Sequence, residues 1–256
     1  MEPEFSEKGI VFFPDPFMIG SPADYGLEYE EILFTTADQV QLHGWWVPHP
    51  QHPPTLLWLH GNAGNISHRL DNLFWLWQKV GLQIFIFDYR EYGRSQGRIT
   101  REGTYQDAAA AYDYVTGNLG IAPDNLILFG RSLGTALAVD LAVQQPCRAL
   151  IIESAFTSSE DMFRLYAPGV AWRPTVPYDN LGKIDRVQVP VLIIHGVQDE
   201  VIPFQMGERL YAVARPPKFF YPIPAAHHND TYVMGGADYF QRLKTFIFAE
   251  SVKGGS

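Results

Sequence analysis

Short apolar runs alternate with longer segments of helical periodicity along most of the chain. This alternation is typical of βαβ units, in which buried parallel strands are connected by helices. The predicted strands are residues 31–35, 40–47, 55–60, 83–88, 125–129, 148–152, 189–195 and 218–221. The predicted helices are residues 66–80, 101–119, 133–144, 205–213 and 236–249. This order predicts an α/β fold with a mostly parallel eight-stranded sheet and helices on both faces.

Two segments depart from the alternation. Only residues 36–39 separate the first two predicted strands, so the sheet is expected to begin with an antiparallel hairpin. Residues 154–186 contain three prolines and five aromatic residues but no predicted strand. Because this segment follows the end of a strand, where open α/β sheets place their ligands, we interpret it as a short lid-like insertion. The alternative is an irregular excursion packed over the edge of the sheet.

The composition is that of a globular protein, with 46% hydrophobic and 18% charged residues. Such a chain can build a large buried core and carries too little charge for disorder. A length of 256 residues suits one large α/β domain as well as two small ones, and nothing in the sequence repeats. We assign residues 1–253 to a single domain and the Gly-Gly-Ser of residues 254–256 to an appended tail.

Net charge, apolar runs and cysteine content limit the expected binding partners and cellular location. The net charge is −9 and no local basic patch stands out, so binding to nucleic acid is disfavoured. No apolar run approaches the roughly 18 residues of a transmembrane helix, and no signal peptide is recognisable. The single cysteine, Cys147, cannot form an internal disulfide and favours a reducing compartment. The expected location is the cytoplasm.

Residues 130–134 read Gly-Arg-Ser-Leu-Gly and match the G-x-S-x-G motif. In such an elbow the serine lies in a sharp turn between a strand and a helix, and the glycines allow neighbouring backbones to approach closely. The context agrees, because an apolar run precedes the motif and an alanine-rich helical segment follows it. Ser132 is the predicted nucleophile, and the alternative is a strand-to-helix turn with an incidental serine.

A serine hydroxyl needs a base to act as a nucleophile, and the base needs an acid to orient it. After a G-x-S-x-G elbow the expected order is an acid and then a histidine, each placed after a strand. Asp199 follows the seventh predicted strand and is the predicted acid, while Glu153 is the second choice. The adjacent His227 and His228 follow the last strand, and either imidazole could serve as the base.

An acyl-transfer site also needs two backbone donors for the oxyanion. The residue after the nucleophile is Leu133, and the loop after the third strand contains Asn62 between glycines. These two N–H groups are the predicted oxyanion hole. Nucleotide-binding glycine motifs are missing from the sequence, as are the H-E-x-x-H and paired-cysteine patterns of metal sites. We predict neither a cofactor nor a metal.

Five sequence strings together resemble a known family. They are LHGNAG at 59–64, FDYREYGRS at 87–95, GRSLG at 130–134, HGVQD at 195–199 and HND at 228–230. The chain resembles the small α/β-hydrolase-domain proteins that include animal protein depalmitoylases and their bacterial and fungal relatives. The resemblance extends from about residue 26 to residue 248.

The resemblance implies an α/β-hydrolase fold, a serine hydrolase activity and His228 as the catalytic histidine. The chain departs from the family pattern at His227, where a small residue is usual, and at Glu91, where glycine is usual. If the Glu91 position requires a positive φ, a non-glycine residue is strained by about 1–2 kcal/mol, or else the loop changes shape. The lipidated cysteine cluster of the animal depalmitoylases is missing, so a palmitoyl-protein substrate is not supported.

The sequence therefore predicts a serine hydrolase that cleaves small-molecule carboxylic esters through an acyl-enzyme, with Ser132, His228 and Asp199 as the catalytic residues. Thioester hydrolysis uses the same chemistry. One alternative is a peptidase similar to prolyl oligopeptidase. The other is an α/β-hydrolase-fold protein that binds a ligand without turning it over.

Overall fold

An eight-stranded sheet forms the centre of the protein. The computed structural model describes residue 9, residues 11–168 and residues 176–249. The strands are β1 Glu30–Thr35, β2 Gln41–Val47, β3 Thr55–Leu59, β4 Gln83–Phe87, β5 Leu126–Arg131, β6 Ala149–Glu153, β7 Val191–Gly196 and β8 Lys218–Ile223. Each strand begins and ends within two residues of its predicted run, which confirms the predicted strands. The proposed tail at 254–256 lies outside the described residues, as do residues 169–175 of the predicted lid.

The strands lie in the order β1-β2-β4-β3-β5-β6-β7-β8. Strand β2 is antiparallel to both β1 and β4, and the remaining neighbours are parallel. The predicted antiparallel start and mostly parallel sheet are therefore confirmed. Strand β8 is at one edge and contains Pro222, a residue that an edge strand tolerates because its missing N–H interrupts no ladder on the open side.

Six α-helices lie in the part of the chain that the structure describes. They are α1 Leu70–Trp75, α2 Arg101–Asp113, α3 Gly134–Gln144, α4 Ser159–Tyr166, α5 Phe204–Val213 and α6 Thr231–Phe248. A 3₁₀ turn over Ile66–Arg69 precedes α1, and π turns extend α1 and α2 to Val80 and Asn118. Helix α6 begins five residues before the predicted start, and Gly236 kinks it with a φ of 51°.

Helix α4 lies within residues 154–186, the lid-like insertion in which the sequence predicted no strand and no helix. Ser158 caps the helix, because its Oγ accepts a 3.0 Å hydrogen bond from the backbone N–H of Asp161. Glu160 and Asp161 place negative charge in the first turn, where it complements the helix dipole. The cap and the acidic first turn are sequence signals for the start of a helix, but the prolines and aromatic residues of the segment led us to predict no helix here.

The helices cover both faces of the sheet, as predicted. Successive side chains of a strand point to opposite faces, so Leu57 and Trp58 of β3 enter two different hydrophobic cores. The first core includes residues of α2, α3 and α5, and the second includes residues of α1 and α6. None of the described helices has both the length and the apolar character that crossing a membrane requires.

Candidate active site

Ser132 lies in the turn between β5 and α3 and has a φ of 50°. This left-handed conformation costs a non-glycine residue about 1–2 kcal/mol, and strain of this kind concentrates at functional sites. The turn also requires its flanking glycines. A Cβ added to Gly130 would lie 2.6 Å from the carbonyl oxygen of Gly134, and one added to Gly134 would collide with the backbone of Leu59.

The structure brings Ser132, His228 and Asp199 together in one hydrogen-bonded row. Nε2 of His228 lies 3.1 Å from Oγ of Ser132. On the other side of the ring, Nδ1 lies 2.9 Å from Oδ2 and 3.1 Å from Oδ1 of Asp199. Both partners of the serine are buried. With the proton on Nδ1, directed at the carboxylate, Nε2 is free to accept the proton of the serine hydroxyl.

The Asp199 carboxylate is held as an anion. Its Oδ1 accepts hydrogen bonds from the backbone N–H groups of Val201, at 2.9 Å, and Ile202, at 2.7 Å. His195, a buried residue of β7, places Nε2 3.3 Å from Oδ2. Burial by itself would raise the pKa of Asp199, but the bonds from His195, His228 and the Ile202 backbone outweigh it and hold the pKa below the ordinary range.

His227, the alternative base, points away from the serine. Its Nδ1 lies 3.1 Å from Oε2 of Glu200, and half of its side chain is exposed. The same Glu200 oxygen accepts a 3.3 Å hydrogen bond from the backbone N–H of His228. Glu200 and His227 therefore form a surface pair beside the row, while His228 faces Ser132.

Glu153, the alternative acid, belongs to a buried network behind the serine. Its two carboxylate oxygens accept hydrogen bonds from the hydroxyl groups of Thr231, at 2.7 Å, and Tyr239, at 2.6 Å. Nε of Arg131 lies 3.1 Å from the same carboxylate. Arg131 in turn donates from Nη2 to the carbonyl oxygen of His228 at 2.8 Å. The network connects the elbow and α6 to the loop that carries His228.

Asn62 is anchored through its side chain, which leaves its backbone N–H available. Its Oδ1 accepts from the Tyr92 hydroxyl at 2.9 Å and from the backbone of Phe13 at 3.3 Å, and its Nδ2 donates to the carbonyl of Val11. Within residues 11–168 and 176–249, the backbone N–H groups of Asn62 and Leu133 have no protein acceptor. Two unpaired donors beside a serine suit an oxyanion.

His60, which precedes that loop, is fully buried. Its Nδ1 donates to the carbonyl of Gly61 at 2.7 Å, and its own carbonyl accepts from the Tyr89 hydroxyl at 2.9 Å. Burial, with the nearby charge of Arg69, lowers the pKa of His60 to about 3. The imidazole is therefore neutral under ordinary conditions and shapes the turn.

A cavity of about 610 Å³ opens onto Ser132 and His228. Most of its wall is apolar, and helix α4, which the sequence did not predict, supplies part of it. The apolar lining includes Leu133, Phe156, Met162, Phe163, Val201 and Ile202. The polar lining includes three arginines, Arg69, Arg101 and Arg131. An apolar cleft with a few polar groups is the usual form of a small-molecule site.

Glu91 adopts the positive φ that the family's glycine would allow. Its φ is 69°. The backbone N–H of Glu91 donates to Gln96 at 3.0 Å, and its Oε2 accepts from the backbone N–H of Ile99 at 2.8 Å. The loop therefore keeps a left-handed residue here, and the Glu91 side chain ties it to the next segment.

Three residues near the serine were not singled out from the sequence as part of the site: His195, Arg131 and Arg69. Arg131 occupies a variable position of the elbow motif, and His195 precedes a glycine at the end of a strand with no pattern that indicates a partner. Arg69 carried no pattern at all. In the described part of the chain, no group of three or more His, Cys, Asp or Glu residues is arranged to hold a metal ion.

Comparison with known proteins assigns the chain to a family. The family model described as serine aminopeptidase, S33, matches residues 50–181. An uncharacterised protein of Mycobacterium tuberculosis strain H37Rv is 32% identical over 252 residues, covering 97% of this chain and 89% of that protein. The α/β-hydrolase domain-containing protein WAV2 of Arabidopsis thaliana is 34% identical over 249 residues, covering 89% and 81%. The chain therefore belongs to the α/β-hydrolase family that this family model and these relatives represent.

Solved structures agree with the fold. An esterase of Pyrococcus furiosus, Pf2001, superposes with a TM-score of 0.78 at 19% identity, covering 91% of this chain and 97% of that one. An acetyl xylan esterase from Paenibacillus sp. R4 gives 0.67 at 18% identity, covering 86% and 83%. The predicted α/β-hydrolase fold is confirmed. The narrower resemblance to depalmitoylases stays a prediction.

Proposed function

We propose that the protein is a carboxylic ester hydrolase that acts through an acyl-enzyme formed on Ser132. The observation that carries the proposal is the 3.1 Å contact between Ser132 Oγ and His228 Nε2, on an imidazole whose other nitrogen lies 2.9 Å from Asp199. A serine with a neutral base in reach and an acid that fixes the base has what nucleophilic catalysis requires. The esterases among the solved structures of the same fold support this reading.

In the first half-reaction, Ser132 Oγ attacks the ester carbonyl carbon while its proton passes to His228 Nε2. The carbonyl oxygen becomes an oxyanion, which the backbone N–H groups of Asn62 and Leu133 stabilise. Asp199 stabilises the imidazolium without taking its proton. When the tetrahedral intermediate collapses, the carbon–oxygen bond to the alcohol breaks and Nε2 returns the proton to the departing oxygen. For a thioester the departing atom is sulfur.

In the second half-reaction, water takes the alcohol's place. His228 Nε2 accepts a proton from the water as its oxygen attacks the acyl carbon, and the proton is then given to Ser132 Oγ as the acid leaves. Every group that moves a proton belongs to this chain, so the proposal needs no cofactor. The apolar wall of the cavity fits the hydrocarbon part of an acyl ester, and the described parts of the lid-like insertion, residues 154–168 and 176–186, would cover it.

The family model's description, serine aminopeptidase, favours a peptidase as the second candidate. An aminopeptidase must bind the free ammonium of its substrate, and a carboxylate is the natural partner for that charge. The described lining of the cavity carries three arginines and no aspartate or glutamate. The described lining therefore offers an ammonium group no carboxylate partner, so ester hydrolysis remains the better supported function.

The test is hydrolysis of p-nitrophenyl esters with acyl chains from two to sixteen carbons, compared with a proline-containing chromogenic peptide. We expect turnover of esters, loss of that turnover in Ser132→Ala, and a fall of kcat/KM at acid pH because a protonated imidazole cannot accept a proton. Cleavage of the peptide without ester turnover would favour the peptidase. Tight binding of a ligand with no turnover of any ester would favour the silent binding protein.

We also propose that the enzyme acts in the cytoplasm. Cys147 is the single cysteine of the chain and is buried. A protein without a disulfide requirement suits a reducing compartment. Fractionation of cells that express the protein would test the location.

A further inference from the structure

The charge of the cavity wall differs from that of the whole protein. The chain contains 28 acidic and 19 basic residues. The cavity over Ser132 nevertheless has three arginines and no aspartate or glutamate in its described lining. An anionic ligand is favoured in such a cleft wherever one of these cations has no anionic partner within the protein.

Two of the three arginines have evident structural roles. Arg131 is paired with Glu153 at 3.1 Å and holds the His228 carbonyl, so its charge is compensated. The guanidinium of Arg101 lies over the ring of Tyr178, 4.7 Å from its centre, and stabilises the wall through a cation–π contact. Neither role requires a substrate.

Arg69 differs from them in its partners. Its Nη2 donates to the carbonyl oxygen of Ala63, in the loop that carries Asn62. Its Nε is buried without a hydrogen-bond partner. No aspartate or glutamate of the described residues lies within 4.0 Å of its nitrogens, and Asp88 favours its charge only from farther away. Arg69 as a whole is half-buried, so its guanidinium has lost part of its hydration without gaining an anionic partner, and an anion bound there would stabilise it.

Arg69 keeps its charge in spite of this environment. Burial, and then the positive charge of Arg131, lowers the pKa of Arg69 to about 10. The guanidinium therefore remains protonated at neutral pH. A planar guanidinium that is already fixed at one nitrogen can bind a carboxylate with little further loss of side-chain freedom.

We propose that Arg69 forms a subsite for an anionic group on the substrate, so that the enzyme prefers esters that carry a carboxylate in their acyl or alcohol part. This inference rests on the proposed ester hydrolysis. The anion would occupy the polar side of the cavity, next to the loop that carries Asn62, while the hydrocarbon part of the substrate contacts the apolar wall.

The experiment compares matched pairs of esters on the wild-type enzyme. The acyl pair is mono-4-nitrophenyl adipate and 4-nitrophenyl hexanoate, in which a methyl group stands in place of the carboxylate. The alcohol pair is the butanoate of 4-hydroxybenzoate and that of its methyl ester. We expect kcat/KM to favour the anionic member of at least one pair by about tenfold, the effect of a charge-assisted hydrogen bond. Equal values in both pairs would overturn the proposal.

The role of Arg69 is tested by measuring, in Arg69→Gln, the ratio of kcat/KM for the anionic ester to kcat/KM for its neutral partner. The ratio is expected to fall close to one, whatever general loss of activity accompanies the change. Arg94→Gln is the matched control, because it removes the same charge from an exposed arginine outside the cavity, paired with Glu31. It should keep the wild-type ratio. If Arg69→Gln does not fold, Arg69→Lys replaces it and should lower the ratio several-fold through loss of the planar fork. A ratio that persists in the Arg69 variant contradicts the assignment.

The neutral esters separate this proposal from the one on which it rests. Wild-type hydrolysis of the neutral esters, abolished in Ser132→Ala, with no preference for the anionic ones, would refute the anionic subsite alone. Failure of the wild-type enzyme to hydrolyse any of the four esters would refute ester hydrolysis as the function.

Discussion

Arg131 donates a 2.8 Å hydrogen bond from Nη2 to the carbonyl oxygen of His228. The residue before the elbow serine thus fixes the loop that presents the opposing imidazole. Glu153 pairs with the same guanidinium. The position of His228 relative to Ser132 therefore depends on a buried ion pair between two residues that lie outside the hydrogen-bonded row. This relationship leads to the first prediction.

Replacing Arg131 with Gln should lower both activity and stability. The Glu153 carboxylate would lose its cationic partner while buried, which costs about 3–5 kcal/mol. Loss of the bond to His228 should lower kcat by about 10- to 100-fold, because small displacements of reacting groups are expensive. Urea unfolding and steady-state kinetics measure the two effects.

The double variant Arg131→Gln with Glu153→Gln separates the two roles. Removing the unpaired carboxylate should restore much of the free energy of unfolding but not kcat, because the His228 loop still lacks its bond. Recovery of kcat together with stability would show that Arg131 contributes to the fold alone.

The two adjacent histidines provide a matched pair for the second prediction. His228→Gln should reduce kcat/KM by about four to six orders of magnitude, the range seen when a triad residue is lost. His227→Gln removes a surface contact to Glu200 and should change kcat/KM by no more than about threefold. Steady-state kinetics on a short p-nitrophenyl ester measures both, and the reverse ranking would identify His227 as the base.

The third prediction concerns the elbow glycines. A Cβ at Gly130 would lie 2.6 Å from the Gly134 carbonyl oxygen and 2.7 Å from the Cβ of Ala138, so Gly130→Ala should cost about 1–3 kcal/mol of unfolding free energy through overpacking. Gly117→Ala is the control, since a Cβ there meets nothing within 4 Å. It should be neutral or stabilising by about 0.5–1 kcal/mol. Thermal or urea unfolding distinguishes the two variants.

The fourth prediction is a pH dependence of stability that comes from His60. Its pKa is lowered to about 3 in the folded protein, against an ordinary value of 6.5. Between these values the unfolded chain binds a proton that the folded protein does not, so stability falls as pH falls. Lowering the pH from 7.5 to 4.5 should remove about 2–3 kcal/mol through this residue alone.

The matched variant for that measurement is His60→Gln, which does not titrate. Its unfolding free energy should decline less over the same pH range than that of the wild-type protein. Parallel curves for the two proteins would mean that His60 binds a proton equally well in both states.

The sequence predicts more of the fold than of the site. Buried parallel strands are continuous apolar runs, so β3 to β7 could be recognised without knowing their neighbours, whereas α4 depends on a single cap at Ser158 inside an irregular segment. The serine elbow could be recognised because its geometry demands glycines. Residue chemistry alone left the choice between His227 and His228 open, and only the family resemblance favoured His228, since two identical side chains differ only in where the loop points them.

The residues that support the site were hidden for a related reason. Arg131 acts through residues that are distant in the chain, and Arg69 is distinguished by the lack of an anionic partner, so no local spacing encodes either role. His195 contacts Asp199 only four positions away, but a His and an Asp at this spacing after a strand are not by themselves a pattern that indicates the contact. Arg131 lies 97 positions before the His228 carbonyl that it binds. Only the fold brings such pairs together, whereas hairpin length and strand pattern can be read from neighbouring residues.

The most direct test of the central claim is covalent labelling with a fluorophosphonate, followed by mass spectrometry of the intact protein and its peptides. We expect a single adduct on the peptide that contains Ser132, formed by the wild-type protein and not by Ser132→Ala. The labelling should slow greatly in His228→Gln and remain fast in His227→Gln. Labelling that persists in Ser132→Ala would contradict the claim that Ser132 is the nucleophile.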